Sequence, residues 1–446
     1  MTTWLLEWNP EDNNFWETKG KKIAWRTLII TTIALTLSFA SWFMMSAIVT
    51  RLTGIGFKFT KEQLFWLAAM PGLAAGTLRI IHTFLIPIYG TRHTISIATL
   101  IKLLPVIGIG IAVMNQNTPF WVFMILAFTA GFGGGDFSSF MPSTNMFFPA
   151  RLKGAALGIQ AGIGNFGVSL AQFMTPIMLG IALYGSPQVF SKTISQTQEI
   201  VTTEIYLQSA TFWYAPLLLI MTFVCWYYLR SIPIKASFKE QLDIFKDKHT
   251  WFCTIIYFMT FGTFAGLSAS FPIMIQTLYG KFDGAPDPLK YAFYGPLIGS
   301  AARVLFGFVA DKIGGAILTT ISGFGLIVSI ILLISMDLVN PTNMESFPIF
   351  LIMMMLIFLF SGIGNASTFK QFPVIFKHNP RQAAGVIGWT AAIAAYGPFV
   401  FSLTIGAFIS NTGGASGFFW LLIIFCLIAT FINWYFYNKK GAERPS

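Results

Sequence analysis

Two arginines stand where a membrane segment would be expected to carry no charge. Arg79 lies in "GLAAGTLRIIHTFLIPIYG", residues 72–90, and is the one permanent cation between Gln63 and Thr91; the imidazole of His82 is titratable. The nearer charged flank, Arg92, is 13 residues away, roughly 20 Å along a helix that rises about 1.5 Å per residue. Snorkelling to a headgroup is therefore awkward. Arg303 has the same surroundings in "SAARVLFGFVADKIGG", 224 positions later, and Gly90 and Gly314 repeat at that same offset. A mid-bilayer arginine costs about 2.5–3.5 kcal/mol on insertion scales, and packing alone does not explain two at matched positions. The only acid deep in an apolar run is Asp136, with Asp311 and Glu62 at run ends, so at most one arginine can be neutralised by a carboxylate. Two converging guanidinium groups can instead share a small planar oxyanion, because each fork donates two parallel hydrogen bonds.

Other residues fit a tight site. Gly154, Gly158 and Gly162 recur every fourth position, and Ala384, Gly388 and Ala392 repeat the spacing. Small residues so placed let helix backbones approach closely, as gating surfaces or as plain packing; Gly164, Gly167 and Gly385 belong to the same glycine-rich stretches. Asn165 adds a hydrogen-bond donor beside this face without adding charge. Tyr257 and Phe261, four apart, share a helix face, where the rings could stack on a flat ligand or simply fill core.

The elements that must position these groups are membrane helices. Of 446 residues, 55% are hydrophobic and 10% charged, with a mean hydropathy of +0.69, whereas soluble proteins carry about 25% charged residues. The depletion runs the length of the chain and excludes a globular protein with one anchor. The net charge of +11 is scattered over short loops, without the basic stripe of a nucleic-acid binder. Three cysteines, none in CxxC spacing, and four unclustered histidines give no reason to expect a disulfide framework, metal or cofactor. The polar, acidic N-terminus does not read as a cleavable signal peptide.

A 20-residue apolar criterion predicts twelve spans, at 27–49, 63–89, 94–115, 119–148, 154–183, 209–229, 250–278, 288–311, 316–336, 346–376, 382–410 and 414–437. The longest polar interior stretch, "LRSIPIKASFKEQLDIFKDKHT", reads as a linker with room for a short amphipathic helix. With the N-terminus inside, inner segments hold 18 Lys/Arg and outer loops six (Arg51, Lys58, Lys61, Lys192, Lys281, Lys290), leaving Arg79, Lys102, Arg303 and Lys370 within spans. That bias predicts both termini in the cytoplasm. Arg151 and Arg381, Gly158 and Gly388, and Gly167 and Gly397 repeat at an offset of 230. The chain thus divides into an N-terminal segment (1–26), a six-helix half (27–229), a linker (230–249), a second six-helix half (250–438) and a tail (439–446). This all-α, twelve-helix arrangement of two pseudo-symmetric halves resembles the major facilitator superfamily fold.

The resemblance becomes specific in "GFGGGDFSSFMPSTNMFFPARLKGAALGIQAGIGNFGVS" and "SGIGNASTFKQFPVIF". These are similar to the two signature segments of the nitrate/nitrite porter family, and "WNPEDNNFWETKGKKIAWRTL" resembles the N-terminus of its NarK-type bacterial members. The likeness covers essentially the whole chain. It implies a multi-pass porter of the bacterial inner membrane that moves nitrate and nitrite by alternating access and normally works as a monomer in lipid. It places the anion-binding arginines at Arg79 and Arg303, the hydrogen-bonding pair at Asn165 and Tyr257, and the flanking phenyl rings at Phe137 and Phe261. The family's first signature usually reads Asn-Phe where this chain has Asp136-Phe137, and an extra carboxylate beside an anion weakens binding unless paired or protonated. Lys370, on the helix that matches Asp136's own, is expected either to bridge to Asp136 across the halves or to snorkel to the cytoplasmic face.

Two converging cations repel, so an empty site should resist closure and a bound anion should permit it, which favours obligatory nitrate/nitrite exchange. Proton symport is the rival, with Asp136 or His82 as relay. An organophosphate/phosphate exchanger would want a larger cavity and extra lysines. A sensor would want a sizeable soluble output module, and the longest polar segments are too short for one. Nor do these segments offer a nucleophile–base pair or a phosphate-cradling loop, so no enzyme is expected.

Overall fold

The computed structural model describes residues 4–193, 200–232 and 242–446. Eleven helices among them are long and apolar enough to cross a membrane: α1 (Asn13–Leu52), α2 (Lys61–Thr83), α3 (Ile88–Val113), α4 (Phe120–Phe147), α6 (Ser209–Tyr228), α7 (Lys248–Tyr279), α8 (Pro288–Ile313), α9 (Gly315–Ser335), α10 (Phe347–Ile375), α11 (Gln382–Thr412) and α12 (Ser416–Asn438). The twelfth, α5 (Ala150–Met178), is long enough but less apolar, because its buried face carries Gln160, Asn165 and Gln172. The spans read from the sequence all recur, with α1 reaching further back than its apolar run.

Local chemistry sets several boundaries. Asp12 accepts from the backbone N–H of Asn14 at 2.8 Å and caps α1. Thr60 and Gln63 form a reciprocal capping box at the start of α2, satisfying two donors that a helix N-terminus otherwise leaves unpaired. Gly90 (φ 74°) and Gly314 (φ 94°) turn the chain from the second to the third helix of each half. Both angles lie where a Cβ is strained, which accounts for the repeated glycine. Of the linker, in which a short amphipathic helix was expected, Leu242–Lys246 form a short 3-10 helix, and residues 233–241 lie outside the described residues.

Between α5 and α6 the sequence suggested only a polar loop. Instead β1 (Gln188–Thr193) and β2 (Ile200–Ile205) pair antiparallel, with Gln188 opposite Ile205. All residues of β2 but Glu204 are β-branched, which favours such pairing. The hairpin anchors on the end of α1, where Ser191 donates its backbone N–H to Gly54 O at 2.8 Å.

The two halves meet closely at this hairpin end. Arg51 pairs with Asp287 at 2.6 Å, Gln276 donates to Thr50 O at 3.0 Å, Gln172 donates to Ser268 O at 2.8 Å, and the Phe173 and Phe293 rings pack at 5.1 Å. At the opposite end, which bears both termini, the halves stand apart. A Cβ on Gly158, Gly307 or Gly388 would meet nothing within 4 Å, and one on Gly154 would lie 4.0 Å from the Lys370 ammonium.

The glycines of α5 therefore split by face. Gly154 and Gly158 make no close helix contact in this conformation, and neither does Gly388. Gly162 meets Val304 of α8. Gly164 faces Leu35, while Gly167 presses on the α1 backbone, where an added Cβ would lie 3.0 Å from Ala40 N and closer still to Thr36 O. Gly385 faces Ile244 at 3.2 Å. Backbone cannot yield as a side-chain tip can. Gly167→Ala is accordingly expected to destabilise by about 1–3 kcal/mol, and Gly158→Ala to stay within about 0.5 kcal/mol of the parent, by thermal unfolding of the purified protein in detergent.

Candidate functional site

Arg79 is fully buried and Arg303 nearly so. The site begins with how α2, α4 and α11 hold the first of them. Gly133, Gly134 and Gly135 let α4 come against α1 and α2: a Cβ on Gly134 would overlap Ala75 and the Trp42 ring, and one on Gly135 would lie 2.9 Å from Leu78 Cβ. That approach delivers Gly134 O to Arg79 Nε at 2.8 Å. From the other half, Ala391 O accepts from Arg79 Nη1 at 2.6 Å. The third nitrogen, Nη2, is buried with no partner. Carbonyls orient a guanidinium without cancelling its charge.

Arg303 projects from α8 toward Tyr257, whose hydroxyl lies 3.5 Å from Nη2, at the outer limit of a hydrogen bond. Its Nη1 has no partner. Among the described residues, neither arginine has a carboxylate within ion-pair distance.

Aromatic faces bind the two cations together. The Phe261 centroid lies 5.2 Å from the Arg79 guanidinium carbon and 5.9 Å from that of Arg303. Phe137 faces Arg79 at 4.8 Å, and Phe369 faces Arg303 at 4.7 Å. Trp42 and Phe39 complete the Arg79 shell at 5.4 and 6.0 Å. Tyr257 and Phe261 stack with ring centroids 5.5 Å apart and planes 6° off parallel. Tyr257 immediately precedes a π-helical turn, Phe258–Gly262, and Phe261 lies within it, a distortion frequent at functional sites.

Two buried asparagines bear no hydrogen bond at all. Both side-chain atoms of Asn165 and of Asn365 lack partners, and both residues are fully buried. A buried amide left unmatched costs about 1–3 kcal/mol. Four unspent donor groups in the bundle interior, on Arg79, Arg303, Asn165 and Asn365, are suited to an acceptor-only guest with several oxygens. A crevice of about 960 Å³ lies elsewhere: Ile107, Ile111, Leu183 and Phe212 line it, and no charged residue is among its walls.

Residues 28–402 match the sequence model of the Major Facilitator Superfamily. The chain is 55% identical to the probable nitrate/nitrite antiporter NarK2 of Thermus thermophilus, over 99% of this chain and 98% of that one. It is 34% identical to the nitrate/nitrite transporter NarU of Escherichia coli (strain K12), over 98% and 96%. The chain belongs to the major facilitator superfamily, in its nitrate/nitrite porter family. The fold also matches a solved bacterial homologue of the human lysosomal transporter Spinster, at TM-score 0.62 and 13% identity, over 93% of this chain and 96% of that one.

The structure of this porter thus brings together Arg79, Arg303, Tyr257, Phe137 and Phe261, and buries Asn165 unpartnered. It separates Asp136 from Lys370. Lys370 pairs instead with Asp311 of its own half at 2.7 Å, because the acid at the end of α8 lies within reach of the lysine on α10. Asp136 pairs with Lys102, accepts from Ser38 at 2.6 Å and lies 3.7 Å from His82 Nδ1. The bridge across the halves is not found; Lys370 is partly exposed and reaches the acid at the end of α8.

The sequence reading gave no role to Asn365, Phe369 or Lys102. Asn365 was findable as the asparagine of Gly-Ile-Gly-Asn, which answers Gly-Gly-Gly-Asp at 133–136, and Lys102 as a further cation inside a span. The two ion pairs should differ sharply in worth. Lys370–Asp311 is partly exposed, so Lys370→Gln is expected to cost no more than about 1 kcal/mol of stability. Asp136→Ala strands the buried Lys102 charge and should cost about 3–5 kcal/mol; thermal unfolding in detergent compares them.

Proposed function

We propose that this porter exchanges nitrate for nitrite across a bacterial inner membrane, binding either anion between Arg79 and Arg303. One observation carries the reading: two buried guanidinium groups, one from each half, keep unspent N–H donors and have no carboxylate to neutralise them. Asn165 and Asn365 supply neutral donors, Tyr257 its hydroxyl, and Phe137, Phe261 and Phe369 flat apolar walls. A planar ion of small charge suits those walls. A phosphate ester would call for further cations, and the two other lysines within spans are already engaged, Lys102 by Asp136 and Lys370 by Asp311.

The exchange follows from charge. With the site empty, the arginines repel and oppose the approach of the two halves at the terminus end. A bound anion screens that repulsion, so loaded protein crosses between conformations while empty protein does not. The glycines at the open end, Gly154, Gly158 and Gly388, are the surfaces that close when the opposite end opens. The excess of lysine and arginine at the terminus end sets that end, with both termini, in the cytoplasm. One chain suffices, since both arginines come from it.

Counterflow in proteoliposomes tests the proposal. Nitrite-loaded vesicles should accumulate labelled nitrate with no pH gradient, and unloaded vesicles should not. Arg79→Lys and Arg303→Lys should each lower exchange by at least about 50-fold, because an ammonium cannot reproduce the bidentate fork. Uptake that needs an inward proton gradient, or exchange that survives either substitution, would overturn it.

A further inference from the structure

A carboxylate lies beside the candidate anion site, and the structure places a lysine on it. Asp136 follows directly on the glycines that present Gly134 O to Arg79 and precedes Phe137, whose ring lies 4.8 Å from the same guanidinium. It is buried on all sides. Lys102, fully buried on α3, donates to Asp136 Oδ2 and to Ala98 O at 2.6 Å.

The two halves show what this pair replaces. Gly133-Gly134-Gly135-Asp136 in the first half answers Gly362-Ile363-Gly364-Asn365 in the second. At the offset that relates Arg79 to Arg303, Lys102 answers Leu326, a buried residue. Acid and base are both present in one half and both missing from the other, so the net charge of each half's motif is the same. A neutral asparagine beside leucine on one side corresponds to a compensated aspartate beside lysine on the other.

We infer that Lys102 is a positioning residue of the anion site: it cancels the Asp136 carboxylate so that Arg79 retains its charge for the transported anion. The inference rests on the anion-exchange reading above and extends it to a residue that touches no substrate. Its logic is electrostatic. An uncompensated carboxylate next to Arg79 would compete with the anion for that cation and repel the anion directly, and low-dielectric surroundings strengthen both effects. The groups facing Asp136 are Lys102 from α3, His82 from α2 and the Ser38 hydroxyl from α1, and Arg79 and Asp136 both lie within electrostatic range of His82. Cys225 of α6 lies within electrostatic range of the pair. His82 Nδ1 also contacts Ser139 Oγ at 3.1 Å.

The test measures nitrate affinity by titration calorimetry on purified parent, Lys102→Met and the double variant Lys102→Met/Asp136→Asn. Lys102→Met should weaken binding at least tenfold, and the double variant should return to within about threefold of the parent. A single variant that binds within twofold of the parent overturns the inference, as does a double variant as weak as the single. If Lys102→Met does not fold, the double variant decides: nitrate binding near parental strength supports the inference, and folded protein that fails to bind overturns it. Failure of the parent itself to bind nitrate strikes the exchange reading, a result distinct from all of these.

Discussion

The structure turns on two guanidinium groups buried from opposite halves and left uncancelled. Moving even one such ion out of water costs several kcal/mol after relaxation, and here nothing of full opposite charge repays it. What surrounds the arginines is fractional: carbonyl oxygens of Gly134 and Ala391 on Arg79, and the negative faces of aromatic rings on both. Each ring contributes on the order of 0.5–2 kcal/mol. Such partners hold a guanidinium in place and leave its charge available. A carboxylate would stabilise the protein further and remove the reason for the site.

That arrangement explains the glycines around it. A glycine inside a helix gives up about 1 kcal/mol against alanine, and the first half has three in succession at 133–135. The return is backbone proximity: Gly133 and Gly134 sit where a Cβ would overlap α1 or α2, which is how a carbonyl of one helix reaches the arginine of another. The second half repeats the device at Gly362 and Gly364, which press on α8, and on α7 and α9, and this compact core carries Asn365. The repeat in sequence is a repeat of close packing, and the polar groups ride on it.

Much of this was legible beforehand. Spans follow from apolar runs because lipid leaves the backbone no alternative to a helix. The arginines announce themselves because charge in such runs is rare, and Tyr257 and Phe261 follow from helical spacing. Three features were not legible, for physical reasons. Asp136 finds Lys102, 34 residues away on a neighbouring helix, because depth and helix adjacency choose ion-pair partners, whereas internal symmetry pointed to Lys370. The glycines of α5 sit on more than one face of the helix, and spacing alone does not say which face meets a neighbour: Gly167 meets α1, while Gly158 meets open space. The β-hairpin escaped because an apolar-span criterion does not register twelve strand residues between two helices. α5 itself shows the opposite lesson, since the buried amides that lower its hydropathy belong to the interior that makes the protein work.

The contacts joining the halves are matched to a structure that has to come apart. At the hairpin end the ionic link, Arg51–Asp287, is partly exposed, and such pairs are worth about 1 kcal/mol or less. The hydrogen bonds of Gln172 and Gln276 across the halves contribute roughly 0.5–1.5 kcal/mol each. Helix packing adds to these links: α2 lies on α11, with Gly72 against Pro398 and Gly406 against Phe65, and α5 lies on α8, where Gly162 meets Val304. The polar links are the small, separable part of this closure, on the scale that one charged ligand can offset by screening two arginines. The energetic scale of the latch and that of the site therefore agree, and in the proposed exchanger this agreement lets an ion of a few atoms move two six-helix bodies.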